Sequence, residues 1–225
     1  MIKATSWSCS AELIKLALTT TVMEEESVVL NEPTGSFFYD AWKIKDEFKD
    51  TVWQSILDTF PCAIGQARII KLSPGESYQA HADIDNRWHL NLTGAQSFLI
   101  DLDSKKMYEC KQDNKWYYMD AGKIHAATNY GPTPRLQLVV RELLKKLPLP
   151  KDLVTVSIEP AGDQSSFRYK FDNLVSPWLN RMNQFGNITN FSHSTSSVEF
   201  KLEREYLSEL AELITSDYKL IVDAS

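Results

Sequence analysis

Cysteine is scarce in this chain of 225 residues: Cys9, Cys62 and Cys110 stand far apart, are odd in number and form no CxxC pair. That excludes a disulfide framework and a thiolate zinc site, and leaves three reduced thiols as the plain reading. Lys/Arg runs are absent as well. A net charge of -6 and a pI near 5.3 remove the basic face that nucleic-acid binding requires. No stretch approaches the about 18 consecutive apolar residues of a membrane-spanning helix, so no membrane partner is expected. The opening "MIKATSWSCSAELIKLALTT" carries Glu12 and Lys15 inside its apolar part and makes a poor signal peptide. A cytoplasmic location is the expectation.

The composition that remains, 43% hydrophobic and 24% charged, is that of an ordinary globular protein able to bury a core. From Asp40 to Phe60, Ile44, Phe48, Val52 and Ile56 recur every four residues beside Trp53 and Leu57, which predicts one helix closed by Pro61. From Gly65 the period changes to two. "GQARIIKL", a Pro74-Gly75 turn, "SYQAHAD", "RWHLNL", "SFLIDL", "KMYEC", "KWYYMD" and "RLQLVVREL" read as short strands joined by tight turns. Such a series predicts an antiparallel sandwich or barrel. The segment "KKLPLPKD", 145–152, reads as a linker. It separates an expected first domain, 1–147, from a small α/β unit, 148–225. That unit holds "LVTVSIEP", a helix interrupted at Pro177, "SSVEFKLE", a helix over "REYLSELAELITSDY" and a closing strand "KLIVDA".

Two of the four histidines lie in "HADIDNRWHLNL", 81–92, a run that otherwise reads as buried strand. In extended chain, residues two apart share a side. Gln79, His81 and Asp83 therefore face together, as do Arg87, His89 and Asn91, while Trp88, Leu90 and Leu92 face the opposite way. Burying a row of charges without partners costs several kcal/mol per ion, on the order known for desolvated charges. A polar face inside a β-barrel is best explained by a bound metal or anion. His81 and Asp83, at i and i+2, can bind one metal ion. His125, returned to the same mouth by the intervening strands, would complete a 2-His-1-carboxylate triad with open positions, the arrangement of non-haem Fe(II) oxygenases.

Ten residues on, Arg135 opens "RLQLVV" with Gln137 on its own side, and a buried arginine there suits a carboxylate bidentately. HxD, then a distant His, then a placed Arg is more specific than HxD alone. Asp85 could replace Asp83 as a ligand, with less favourable spacing. His89 could replace His81, but no carboxylate follows it at i+2. Arg68, Lys71 or Arg141 could take the role of Arg135 only by giving up the spacing. Asn129 reads as capping the turn before Gly131-Pro132. The cluster Trp116, Tyr117, Tyr118 reads as barrel wall.

With "LSPGESYQAHAD", "RWHLNL" and "HAATNYGPTPRLQLVV" in view, the region from Ala67 to Glu142 resembles the aspartyl/asparaginyl β-hydroxylase branch of the 2-oxoglutarate- and Fe(II)-dependent oxygenases. The resemblance implies a mainly β fold with flanking helices: a double-stranded β-helix (jelly-roll, cupin-like) core with N-terminal helices. It implies that His81, Asp83 and His125 hold Fe(II), that Arg135 binds the distal carboxylate of 2-oxoglutarate, and that Arg87 and His89 help bind that cosubstrate. The activity implied is hydroxylation, with O2, of an amino-acid side chain (Asp, Asn or Pro type) in a small-molecule or peptide substrate, with release of succinate and CO2. The presence of Asp83 speaks against halogenation. The N-terminal stretch and residues 148–225 carry no such resemblance. A cupin-like metalloenzyme without 2-oxoglutarate and a non-catalytic carboxylate-binding module remain the alternatives.

Overall fold

The computed structural model describes residues 2–20, 23–146, 152–162, 171–194, 196–214 and 216–223. By its contacts the chain forms two compact units, Met1–Ala80 with Asp85–Leu143, and His81–Ile84 with Leu144–Ser225. Most of the expected linker, and with it the boundary at 147/148, lies outside the described residues.

The first unit contains strands β1 (Ile2–Ser8), β2 (Ser27–Val29), β3 (Asn31–Pro33), β4 (Trp42–Ile44), β5 (Ala67–Leu72), β6 (Arg87–Asn91), β7 (Ser97–Asp101), β8 (Lys106–Glu109), β9 (Lys115–Met119), β10 (His125–Asn129) and β11 (Arg135–Arg141). Helices α1 (Ala11–Thr20) and α2 (Val52–Leu57) accompany them. Six strands form a sheet in the order β1-β9-β6-β11-β5-β2, three form β10-β7-β8, and β3 pairs with β4. Every strand pair is antiparallel. The fold is mainly β, with few helices.

Alternation gives the six-stranded sheet two chemically distinct faces. Trp88 and Leu90 of β6, Leu138 and Val140 of β11, Ala67 and Ile69 of β5 and Trp116 of β9 bury together with Ile14, Ala17, Trp53, Ile56 and Leu57 of the two helices. Phe60 seals this layer, its ring 4.4 Å from Trp116 and 5.5 Å from Trp88 between centroids. Such an apolar face is the main source of stability for a half-buried sheet. The other face carries Arg87, His89 and Asn91 of β6 and Arg135 and Gln137 of β11. The register sets Asn91 directly opposite Gln137 and Arg87 opposite Arg141.

Two expected elements are corrected. The single helix over 40–60 is instead β4, a 3-10 turn at Asp46–Phe48 and the short α2. Trp42–Ile44 extends to pair with β3, and Asp50 takes a left-handed φ of 57° that breaks any helix before Thr51 caps α2. The apolar spacing was still informative, because Ile44, Phe48 and Val52 pack against the same core as Ile56. "SYQAHAD" is likewise no continuous strand: it carries isolated bridge residues at Ser77, which pairs with Thr128, and at His81, with irregular chain between them. The turn before it is as expected, with Gly75 at φ 80° and the Glu76 N–H donating to Ser73 O at 3.1 Å.

The second unit is a four-stranded antiparallel sheet, β13-β14-β12-β15, from β12 (Leu153–Pro160), β13 (Ile188–His193), β14 (Val198–Glu203) and β15 (Tyr218–Asp223). Helices α3 (Ser176–Phe185) and α4 (Leu207–Leu213) belong to it, α3 following a π-helical turn at Phe171–Val175. Pro177 sits in the first turn of α3, directly after the π-helical turn, so the helical run expected there changes from π to α beside this proline. Gly186 ends α3 in the left-handed region, φ 82°. Glu209 accepts hydrogen bonds from Trp178 and Arg181 at 2.8 and 3.1 Å and ties α4 to α3.

Candidate metal centre

His81 and Asp83 sit in irregular but extended chain. Ala82 and Ile84 are buried, and the alternating side chains of His81 and Asp83 turn the other way, half-exposed and together. His81 Nε2 lies 3.9 Å from an Asp83 carboxylate oxygen. His125 opens β10 and is buried. Its Nδ1 lies 2.8 Å from the Lys123 carbonyl, an acceptor, so this nitrogen carries the proton and Nε2 is left with its lone pair for a metal. His81, Asp83 and His125 each offer one ligand atom, and these atoms lie within 4.8 Å of one another. Two donors across a single ion are separated by about 4 Å for bonds near 2.1 Å, so the cluster could hold a metal ion.

The segment bearing His81 and Asp83 is held by its backbone. The Ala82 N–H donates to Asp172 O at 2.8 Å, and Asn180 Nδ2 donates to the carbonyls of Asp83 at 3.2 Å and Ile84 at 2.9 Å.

Arg135, on the polar face of the six-stranded sheet, is 1% exposed. Its Nη1 points at Cys110 Sγ, 3.8 Å away, the Tyr78 ring lies 6.0 Å from Cζ, and its Nε has no hydrogen-bond partner. Among the described residues no carboxylate pairs with it. Close packing fixes it in place: a Cβ added to Gly94, at φ 107°, would sit 2.8 Å from Arg135 Cα, Cβ and Cγ. His89, on the same face, is also buried, and neither ring nitrogen has a partner of good geometry. Burial pushes its pKa down to about 3; Gln137 opposes the shift and the positive charge of Arg135 adds to it. His89 is therefore neutral at pH 7, with one N–H to give and one lone pair to accept. Gln137 donates to Asn91, which donates in turn to Lys111 O at 2.9 Å.

Arg87 has a partner within the chain. It forms an ion pair with the buried Asp85 and donates to the Asp85 backbone carbonyl at 2.9 Å, and Arg141 Nη1 lies 3.5 Å from the other Asp85 oxygen. This arrangement accounts for Asp85 as a structural anion held between two guanidinium groups and not as the alternative metal ligand. Asn129 is wholly buried and fully used. It donates to Leu72 O at 3.0 Å and Thr133 O at 2.9 Å, and accepts from Ser97 Oγ and the Gly131 N–H, each at 3.0 Å. The turn role expected of it is what these bonds perform. Trp116 lies in the core, whereas the Tyr117 hydroxyl bonds Asp113 at 2.7 Å and its pKa is pushed up to about 12, chiefly by burial. Sequence reasoning missed Cys110, Tyr78 and Asn180, which reach the site through strand order and helix placement with no local signal.

No family model matches the chain, and no curated protein does. Among solved structures, one titled "Crystal structure of CapF with inhibitor 3-isopropenyl-tropolone" is similar over 53% of this chain and 32% of its own, at 14% identity and a TM-score of 0.31. The chain thus spans about a third of that protein's length, and a likeness this low carries no argument about fold or function.

Proposed function

We propose that the protein is a 2-oxoglutarate- and Fe(II)-dependent dioxygenase of the aspartyl/asparaginyl β-hydroxylase type. In this reading the six- and three-stranded sheets of the first unit form its double-stranded β-helix core, and its substrate is an amino-acid side chain, free or in a peptide. The observation that carries the reading is the coexistence of two features. One is a His-Asp-His cluster, and the other is a fully buried arginine with no carboxylate among the described residues. A buried unpaired cation is costly, and a ligand anion offsets that cost.

The donor set of two imidazoles and one carboxylate, without thiolate, suits Fe(II) and leaves coordination positions open. His125 is oriented by the Lys123 carbonyl, which keeps Nε2 free for the ion. Arg135 would take the distal carboxylate of the cosubstrate through its fork of N–H groups, with Tyr78 along the guanidinium. Neutral His89 would donate or accept one further hydrogen bond without adding charge. The buried walls around Arg135 exclude water and strengthen each of these contacts. When bound, iron would supply the oxidising chemistry by which O2, 2-oxoglutarate and a substrate C–H become succinate, CO2 and the hydroxylated substrate, one oxygen atom going to each of succinate and the new hydroxyl.

The test is succinate release from 2-oxoglutarate by protein loaded anaerobically with Fe(II) and then given O2, across a panel of amino acids and peptides. Turnover absent from His81→Ala and Arg135→Met supports the reading. Binding of the carboxylate with no succinate under any panel member favours a non-catalytic binding module.

A further inference from the structure

The segment that carries His81 and Asp83 lies outside the strands named above, with a β-bridge at His81, and a side chain of α3 also holds its backbone. That side chain is a buried amide. Asn180 is 3% exposed and directs both protons of Nδ2 at carbonyl oxygens, those of Asp83 and Ile84. Its Oδ1 accepts from Gln184 Nε2, one turn further along the helix. Since both first partners are pure acceptors and the third is a donor, the amide has only one orientation that satisfies every group. Asparagine is a poor residue for a helix interior, and a buried one costs stability unless its polar atoms are matched. Here the ligand-bearing segment and the strut from Gln184 supply partners for both of its polar atoms.

A second anchor lies on the other side of Asp83, where the Ala82 N–H donates to the Asp172 carbonyl in the π-helical turn. Turns of this kind occur often at functional sites, because they release backbone groups for outside partners. With the backbone fixed at 82 and at 83–84, and with the Ala82 and Ile84 side chains buried, His81 and Asp83 keep only their side-chain torsions.

We infer that Asn180 is a positioning residue for the His81–Asp83 ligand pair, and that it sets the backbone of 81–84 so that both side chains aim at one ion. The inference rests on the metal-centre reading above.

Co(II), whose visible absorption reports ligand number and geometry, is the probe, titrated into the full-length protein. The variants are Asn180→Asp, which keeps the shape but turns oxygen toward two carbonyls, and His81→Ala as a control. Asn180→Asp is expected to weaken Co(II) binding about 10- to 100-fold and to alter the absorption bands, the range found when groups supporting a metal ligand are removed. Binding of 2-oxoglutarate to the metal-free protein, which reads Arg135 instead, is expected to stay as in the parent. Co(II) affinity and spectrum unchanged in Asn180→Asp, with both lost in His81→Ala, would overturn the inference and leave the metal centre standing. A parent protein that does not bind Co(II), or a His81→Ala variant that binds it equally, would overturn the reading beneath. Should Asn180→Asp not fold, Gln184→Met at an exposed position decides: a several-fold loss of Co(II) affinity supports the inference, and none overturns it.

Discussion

Arg135 Nη1 points at the Sγ of Cys110 from 3.8 Å, and no carboxylate among the described residues meets the guanidinium. A thiol is a weak partner for a buried cation, so this arginine costs stability in the absence of a ligand. Arg135→Met is therefore expected to leave the melting temperature unchanged or raise it. At the same time it should weaken 2-oxoglutarate binding about 100-fold, the effect of losing roughly 3 kcal/mol of charge-assisted hydrogen bonding. Thermal unfolding with and without the ligand checks both halves. A large loss of stability with binding intact would make Arg135 a structural residue.

His89 links stability to pH in a definite direction. Its folded pKa, about 3, lies below the ordinary 6.5, so between those values the unfolded chain binds the extra proton. The contribution is fully present above about pH 6.5 and declines as the pH falls toward about 3, by up to about 1.4 kcal/mol per pH unit. Urea unfolding from pH 7 to pH 4 should show a shallower decline in His89→Gln than in the parent. Parallel curves would mean that His89 titrates normally.

Asp85 separates structural charge from metal chemistry. Removing it takes this carboxylate from the buried Arg87 and the partly exposed Arg141, so Asp85→Ala is expected to cost about 3–5 kcal/mol. Asp85→Asn should cost less and leave metal affinity near that of the parent. Metal binding abolished in Asp85→Asn with the fold intact would identify Asp85 as the acidic ligand in place of Asp83.

Asn129 holds the approach to Arg135. Asn129→Ala strips partners from Leu72 O, Thr133 O, Ser97 Oγ and the Gly131 N–H, and is expected to cost about 2–4 kcal/mol in a denaturant melt. A cost under about 0.5 kcal/mol, the scale of a neutral surface substitution, would contradict this account of the turn.

Much of the candidate site was legible because period-two alternation is a local property. "RWHLNL" and "RLQLVV" each assign one face to the core and one to polar groups, and β6 and β11 are neighbours with those faces aligned. The Pro74-Gly75 turn was legible for the same reason. The helix expected over 40–60 failed because apolar spacing reports burial whichever backbone delivers it, and here β4, a 3-10 turn and α2 deliver it in sequence. Cys110, Tyr78 and Gly94 come to Arg135 through strand order, and Asn180 reaches the His81–Asp83 segment from a helix almost a hundred residues away.

The most direct measurement is an anaerobic titration of the Fe(II)-loaded protein with 2-oxoglutarate, following the charge-transfer absorption that arises when a 2-oxo acid chelates ferrous iron. The account predicts a saturable band that is absent in His125→Ala and needs about 100-fold more 2-oxoglutarate in Arg135→Met. No band in the parent, or a band indifferent to both substitutions, would contradict it.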